Sequence, residues 1–128
     1  MNEISDSAVV AALRRQMTVA VARQVAAAGN LANIDTPGFK AREVTFDETL
    51  LRKAGTIAAT APGHIATQAG GTGIAVREAD GQARRDGNTV QLDRELLTMS
   101  RAAGDFAAAQ TALAAKFRLV RYAINEGR

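Results

Sequence analysis

The sequence predicts a mainly α protein: long N- and C-terminal helices paired as a coiled-coil-like unit, with a flexible Gly-rich middle segment that has room for short β elements. Three observations carry this expectation. Apolar residues recur at helical spacing over residues 5–33, and a longer run with heptad spacing covers residues 92–124. Between them the periodicity stops, and seven of the eleven glycines fall in residues 55–87. On this basis the chain divides into residues 1–39 (helix and turn), 40–87 (irregular middle) and 88–128 (heptad helix).

In the first zone Val10, Leu13, Met17, Val21 and Val25 recur at steps of three and four, close to the 3.6-residue helical period. Ser5 and Asp6 are candidate caps, because their side-chain oxygens accept the free amide protons of a first turn. Gly29 weakens the helix by about 1 kcal/mol relative to Ala. The helix ends at Asp35-Thr36-Pro37-Gly38, where Pro37 fixes the first central position of a turn and Gly38 supplies the positive φ of type II.

The middle zone lacks a sustained period. Residues 43–46 read as a short extended stretch, residues 46–53 as one or two helical turns, and residues 73–76 as a brief strand. Residues 54–87 as a whole read as a long mobile connection or a small irregular module.

The last zone carries the strongest pattern. Leu92, Leu96, Met99, Ala103, Phe106, Gln110, Leu113, Phe117, Val120 and Ile124 follow steps of 4 and 3 without a break, the 3.5-residue period of a coiled-coil seam. Gln110 is its polar exception. The helix is expected to start between Asn88 and Asp93, since Asn88 followed by Gln91 resembles a capping box.

Composition sets limits on function. Aromatic residues make up only 4% of 128 residues and Trp is absent, so a self-contained globule lacks the side chains that usually supply much of a core. Such a chain is marginal alone or completed by partners. With no cysteine, disulfides and thiolate metal sites are excluded. His64 is the single histidine, which rules out a multi-histidine metal site, and in its Gly-rich setting it reads as a loop side chain. Ser5, Ser7 and Ser100 lack a nucleophile-elbow context. Gly71-Thr72-Gly73 lacks the third glycine of a dinucleotide loop. Neither catalysis nor a cofactor is expected.

No run of about 18 apolar residues appears, and no basic segment leads into an apolar stretch at residues 1–15, so a cleaved signal is not expected. The net charge is +3. Residues 1–40 hold four cations and three anions, residues 41–87 six of each, and residues 88–128 six and four. Lys116, Arg118, Arg121 and Arg128 make the last segment basic. Such a segment is more often a solvated face or a helix C-terminus favouring cations than a nucleic-acid site.

Residues 28–41 resemble the N-terminal signature of the bacterial flagellar rod and hook axial family. Asn30, Leu31, Ala32, Asn33, Thr36, Gly38, Phe39 and Lys40 stand at its recurring positions, with Asp35 and Pro37 completing the turn. The Asp-Thr-Pro-Gly turn, the stretch Thr60-Ala61-Pro62-Gly63-His64-Ile65 and the stretch Asp86-Gly87-Asn88-Thr89-Val90 are most similar to the FlgB-type proximal rod proteins. The FlgC-type proximal rod proteins are the near alternative. Gly29 stands where Ser is common.

The resemblance implies a structural component of the basal-body rod, exported uncleaved by the flagellar type III apparatus and assembled in the periplasm. Its implied partners are copies of itself, other rod proteins, the rod-base adaptor protein and the inner-membrane ring with its export apparatus. Nucleic acid and small-molecule substrates are not among them. A basic coiled-coil nucleic-acid binder and a helical adaptor are the readings from other classes.

Overall fold

The computed structural model describes residues 6–46 and 73–125. The expectations for residues 47–72, including the helical turns after Phe46 and the loop setting of His64, lie outside them. The chain forms α1 (Asp6–Ala32), β1 (Arg42–Phe46), β2 (Ile74–Glu78) and α2 (Leu92–Ile124). Two long helices pack against each other, and a small two-stranded sheet lies against α1. The fold is mainly helical, as the periodicities predict.

The helices run antiparallel. Lys116 Nζ lies 2.5 Å from the Asp6 carboxylate, and Arg23 lies 3.8 Å from Asp105. These pairs are largely exposed, so each is worth no more than about 1 kcal/mol. They mark direction more than they add stability.

The residues most deeply buried between the helices are mostly small. The buried residues of α1 are Val19, Ala20, Ala27 and Asn30, and those of α2 are Glu95, Ala102 and Ala109. Ala20 and Ala27 are seven apart, as are Glu95, Ala102 and Ala109. Ala20, Ala27, Ala102 and Ala109 are the small buried residues of the pair, whereas Leu13, Met17, Met99, Phe106 and Leu113 of the expected stripe are half-buried. Alanine loses no side-chain rotamer freedom on burial, but it also removes little apolar area from water. Such a contact forms readily and holds weakly.

The strands are antiparallel, with Val44 opposite Val76 and Glu43 opposite Arg77. Val44 is buried, and Arg77 Nε donates to Glu43 at 2.7 Å across the pair. Both short extended stretches expected at residues 43–46 and 73–76 are thus strands, β1 starting one residue earlier and β2 running from Ile74 to Glu78. Phe46 ends β1, where Arg15 stacks over its ring at 5.7 Å.

Of the two expectations for this zone, residues 73–87 match the small irregular module rather than the mobile connection. After β2 the chain is fixed by Ala79 N–H to Ala41 O and by Arg84 N–H to Asn88 O, each at 2.8 Å. The glycines in this stretch make tight backbone geometry possible rather than marking a loose tether.

Helix α2 starts at Leu92, inside the expected window, but by another route. Its cap is Gln91, which makes no side-chain capping bond, while its backbone oxygen accepts Glu95 N–H at 3.1 Å. Asn88 is engaged elsewhere, so the capping box does not form.

Gly38 has φ 73° and sits third in a turn closed by Phe39 N–H to Thr36 O at 3.3 Å. This is the type II geometry expected for Pro37-Gly38. Gly29 lies inside α1 with open space where a Cβ would be. The two glycines should therefore respond to alanine with opposite signs. Gly38→Ala should lower unfolding free energy by about 1–2 kcal/mol, the cost of left-handed backbone with a Cβ. Gly29→Ala should raise it by about 0.5–1 kcal/mol. Urea unfolding followed by circular dichroism measures both, and a stabilised Gly38→Ala would overturn the turn assignment.

Candidate functional site

Two features stand out: a hub of polar residues where the chain turns between its helices, and an apolar face along the helix pair. The hub joins the two sequence stretches singled out at residues 28–41 and 86–90.

Asn30 is 1% exposed and behaves as a piece of β-strand turned sideways. Its Nδ2 donates to Arg42 O and its Oδ1 accepts Arg42 N–H, both at 2.8 Å. The end of α1 is thereby pinned to the start of β1. Asn88 is completely buried. Its Nδ2 faces the carbonyl oxygens of Asn33, Ile34 and Thr36 at 2.9, 3.1 and 2.8 Å, and its Oδ1 accepts Val90 N–H at 2.7 Å. Those carbonyls belong to the winding after α1, where helix ends leave acceptors without intrahelical donors. A side-chain amide, carrying donors and an acceptor, suits both tasks.

The remaining contacts close the hub. Asn33 Nδ2 donates to Gly29 O at 2.9 Å, and Thr36 Oγ1 donates to Asn33 Oδ1 at 3.2 Å. Ala41 N–H donates to Thr89 Oγ1, Thr89 N–H to Phe39 O, and Gly38 N–H to Asp86 O, at 2.8–3.0 Å. Lys40 Nζ reaches Gly87 O at 3.2 Å, and Arg84 donates to Ile34 O. Gly87 has φ 81°, and a Cβ there would lie 3.5 Å from Gly38 Cα. The two glycine turns thus sit back to back.

Of the motif residues, Asn30 is buried, while Leu31, Asn33 and Phe39 are half-buried. Ala32, Asp35, Thr36, Pro37, Gly38 and Lys40 are exposed. The signature is therefore a structural clamp with a solvent-facing rim.

Beside the hub, Arg23, Arg42, Glu43, Arg94, Glu95 and Thr98 line a small polar recess. Glu43 pairs with both Arg77 and Arg94, at 2.7 and 3.2 Å, and Thr98 Oγ1 donates to Arg94 O at 2.8 Å. The recess holds an ion-pair network tying α2 to the sheet. Among the described residues, no group of three His, Asp or Glu side chains is arranged to hold a metal ion.

Seven of the expected seam residues, Val10, Met17, Val21, Val25, Phe106, Phe117 and Val120, line grooves on the described surface. At about 100° per residue, Leu113 and Val120 fall close to the axis through Ala102 and Ala109, whereas Leu96, Ala103 and Gln110 lie well to one side of it. Val10, Leu13, Met17, Met99, Phe106 and Leu113 are half-buried at the edge of the contact. Val21, Val25, Leu92, Leu96, Ala103, Gln110, Phe117, Val120 and Ile124 are exposed.

Residues from the two helices meet in apolar grooves. Val10, Phe117 and Val120 line one, and Met17, Val21, Ile74 and Phe106 the next. A third, through Val25, Phe39 and Val76, leads to the hub and shares Ala22 with the second. The apolar face therefore runs nearly the length of α1.

Sequence reasoning missed Asn88 and Thr89 as hub residues, and Ala20, Ala27, Ala102 and Ala109 as the inner seam. The seven-residue spacing of the alanine pairs was the available signal for the seam. No family model matches the chain, and no curated protein matches it.

Proposed function

We propose that the protein is a structural subunit of the bacterial flagellar rod, of the FlgB-type proximal class, packing with copies of itself and with other rod proteins. One observation supports this most: the buried residues of the helix pair are mostly alanines, while Val21, Val25, Leu92, Leu96, Phe117, Val120 and Ile124 are exposed. A self-sufficient globule normally has the reverse arrangement. Exposed contiguous apolar surface of this kind marks an interaction site.

The asparagine hub fits the same role. It fixes the geometry at one end of the helix pair through hydrogen bonds, so that the apolar faces are presented in a constant orientation. The weak alanine contact suits a subunit that is exported unfolded and becomes stable among its neighbours. The other rod proteins, the rod-base adaptor and the inner-membrane ring with its export apparatus are the remaining partners of this reading. The FlgC-type class is the near alternative within this reading.

The test is where the chain resides. Purified basal bodies should contain it in the periplasmic rod, uncleaved, and its deletion should leave cells without rods or filaments. A chain found only in the cytosol, with motility unaffected by its deletion, would overturn the proposal.

A further inference from the structure

The polar recess beside the hub holds one charge that the chain itself does not complete. Among the described residues Glu95 is the one buried acidic side chain, 5% exposed. Its carboxylate makes no hydrogen bond or ion pair there. No fully covered side-chain nitrogen or oxygen among those residues lacks a partner, so the Glu95 oxygens open into the recess that the residue lines.

The other charges around the recess are committed or exposed. Glu43 takes Arg77 and Arg94, and Arg94 also donates to Asp80 O at 2.8 Å. Arg23 faces Asp105 at 3.8 Å. Arg42 is exposed, with its backbone held by Asn30. None of these guanidinium groups pairs with Glu95. A carboxylate withdrawn from bulk water without a paired cation is costly, and an entering cation relieves that cost.

Size and surroundings narrow the occupant. The recess encloses about 190 Å³, less than the roughly 300–1,000 Å³ of pockets that take a whole small molecule. It suits the end of one side chain. It also shares Ala26, Arg42 and Val44 with the apolar groove through Val25, Phe39 and Val76. That groove is floored by Ala22, Ala26 and Gly29, with open space where a Gly29 Cβ would be. A segment seated in the groove therefore has the Glu95 carboxylate beside it. A free organic cation would give up its translational freedom for this one contact. A side chain on a docked segment has given it up already.

We infer that the recess is a socket for a basic side chain, lysine or arginine, carried by another protein chain whose apolar residues lie in the adjoining groove. Glu95 is its acceptor. The docking of that chain rests on the reading of the apolar face as a subunit contact, whereas the charge preference of the socket is measured without any rod.

The test follows the amide resonances of Glu95 and Thr98 by nuclear magnetic resonance as the full chain is titrated with short peptides. These are N-acetyl-leucyl-arginine amide, its lysine counterpart, and its citrulline counterpart, which keeps the arginine shape and lacks the charge. Saturable shifts with a Kd on the order of 1 mM are expected from arginine or lysine and not from citrulline. Glu95→Gln should weaken binding about tenfold or more, the loss of a charge-assisted hydrogen bond. The same variant should leave the folding equilibrium of the free chain unchanged or more favourable, because it removes an unpaired charge. Asp93→Asn, exposed on α2, should change binding less than about threefold.

Equal shifts from citrulline, no saturable shift from either basic peptide, or parent-like binding by Glu95→Gln would overturn the inference. So would a Glu95→Gln chain whose folding constant falls more than about tenfold, since the carboxylate would then serve the chain's own fold. If these results hold while the chain is absent from basal bodies, the socket stands and the rod assignment falls.

Discussion

Asn88→Asp should be the most damaging single-atom exchange in the hub, lowering unfolding free energy by about 3–5 kcal/mol, the range for an uncompensated buried charge. The variant keeps the shape of the side chain and replaces its NH2 by an oxygen. That oxygen would face the carbonyls of Asn33, Ile34 and Thr36, all within 3.1 Å of the present nitrogen. Three attractive contacts become repulsive, at a position with no exposure to water. Since domains are stable by only about 5–15 kcal/mol, this chain would have little left.

Two comparisons locate the cause. Asn33→Ala removes two solvent-exposed side-chain bonds and should cost about 1 kcal/mol, the net worth of an ordinary hydrogen bond. Asn30→Asp loses the donation to Arg42 O while its other oxygen still accepts Arg42 N–H, so it should fall between the two. Urea unfolding followed by helical circular dichroism gives all three values. An Asn88→Asp protein within about 1 kcal/mol of the parent would mean that the hub does not clamp the turn.

Asn88 also shows why part of this architecture could be read from sequence and part could not. Helices declare themselves locally, since Val10, Leu13 and Met17 need only neighbours three and four residues away. The Pro37-Gly38 turn is equally local, because both residues restrict their own backbone. Asn88 instead acts on carbonyls 52–55 residues earlier in the chain. Its local spacing to Gln91 matches a capping box, and tertiary acceptors compete successfully for its side chain. Asn30 is intermediate, bonding to Arg42 twelve residues on. Its bidentate pairing depends on the chain doubling back, which the turn allows but does not specify.

The seam illustrates a different limit. Periodicity locates an apolar stripe on a helix but does not say whether the stripe meets the chain's own partner helix or a separate molecule. Leu96 and Phe117 dominate the heptad pattern because they are large. Ala102 and Ala109 resemble ordinary helix-favouring residues, although they make the inner contact. A helix with small residues along one stripe and large ones along the next has two apolar surfaces with different uses. Among the described residues, the intramolecular one is the more deeply buried.

Val25→Asp and Phe117→Asp, placed at opposite ends of the open apolar face, should each abolish rod assembly and motility while leaving the free chain folded. Val25 is 67% exposed and Phe117 58%, so each carboxylate remains hydrated in the monomer. Surface changes of that kind usually alter stability by no more than about 0.5 kcal/mol. Once the face is covered by a neighbouring subunit, the same carboxylate loses its water and costs several kcal/mol, roughly 2–7 even for an uncharged polar group left without a partner. A helix pair held by alanine contacts depends on its neighbours for stability and cannot absorb that loss. Arg101→Asp, exposed on α2, should support swimming. Secretion must be followed alongside motility, because a variant that is exported but not incorporated places the defect in packing rather than in transport. Normal swimming by both Asp variants, with parent-like amounts in purified basal bodies, would show that this face is not where subunits meet.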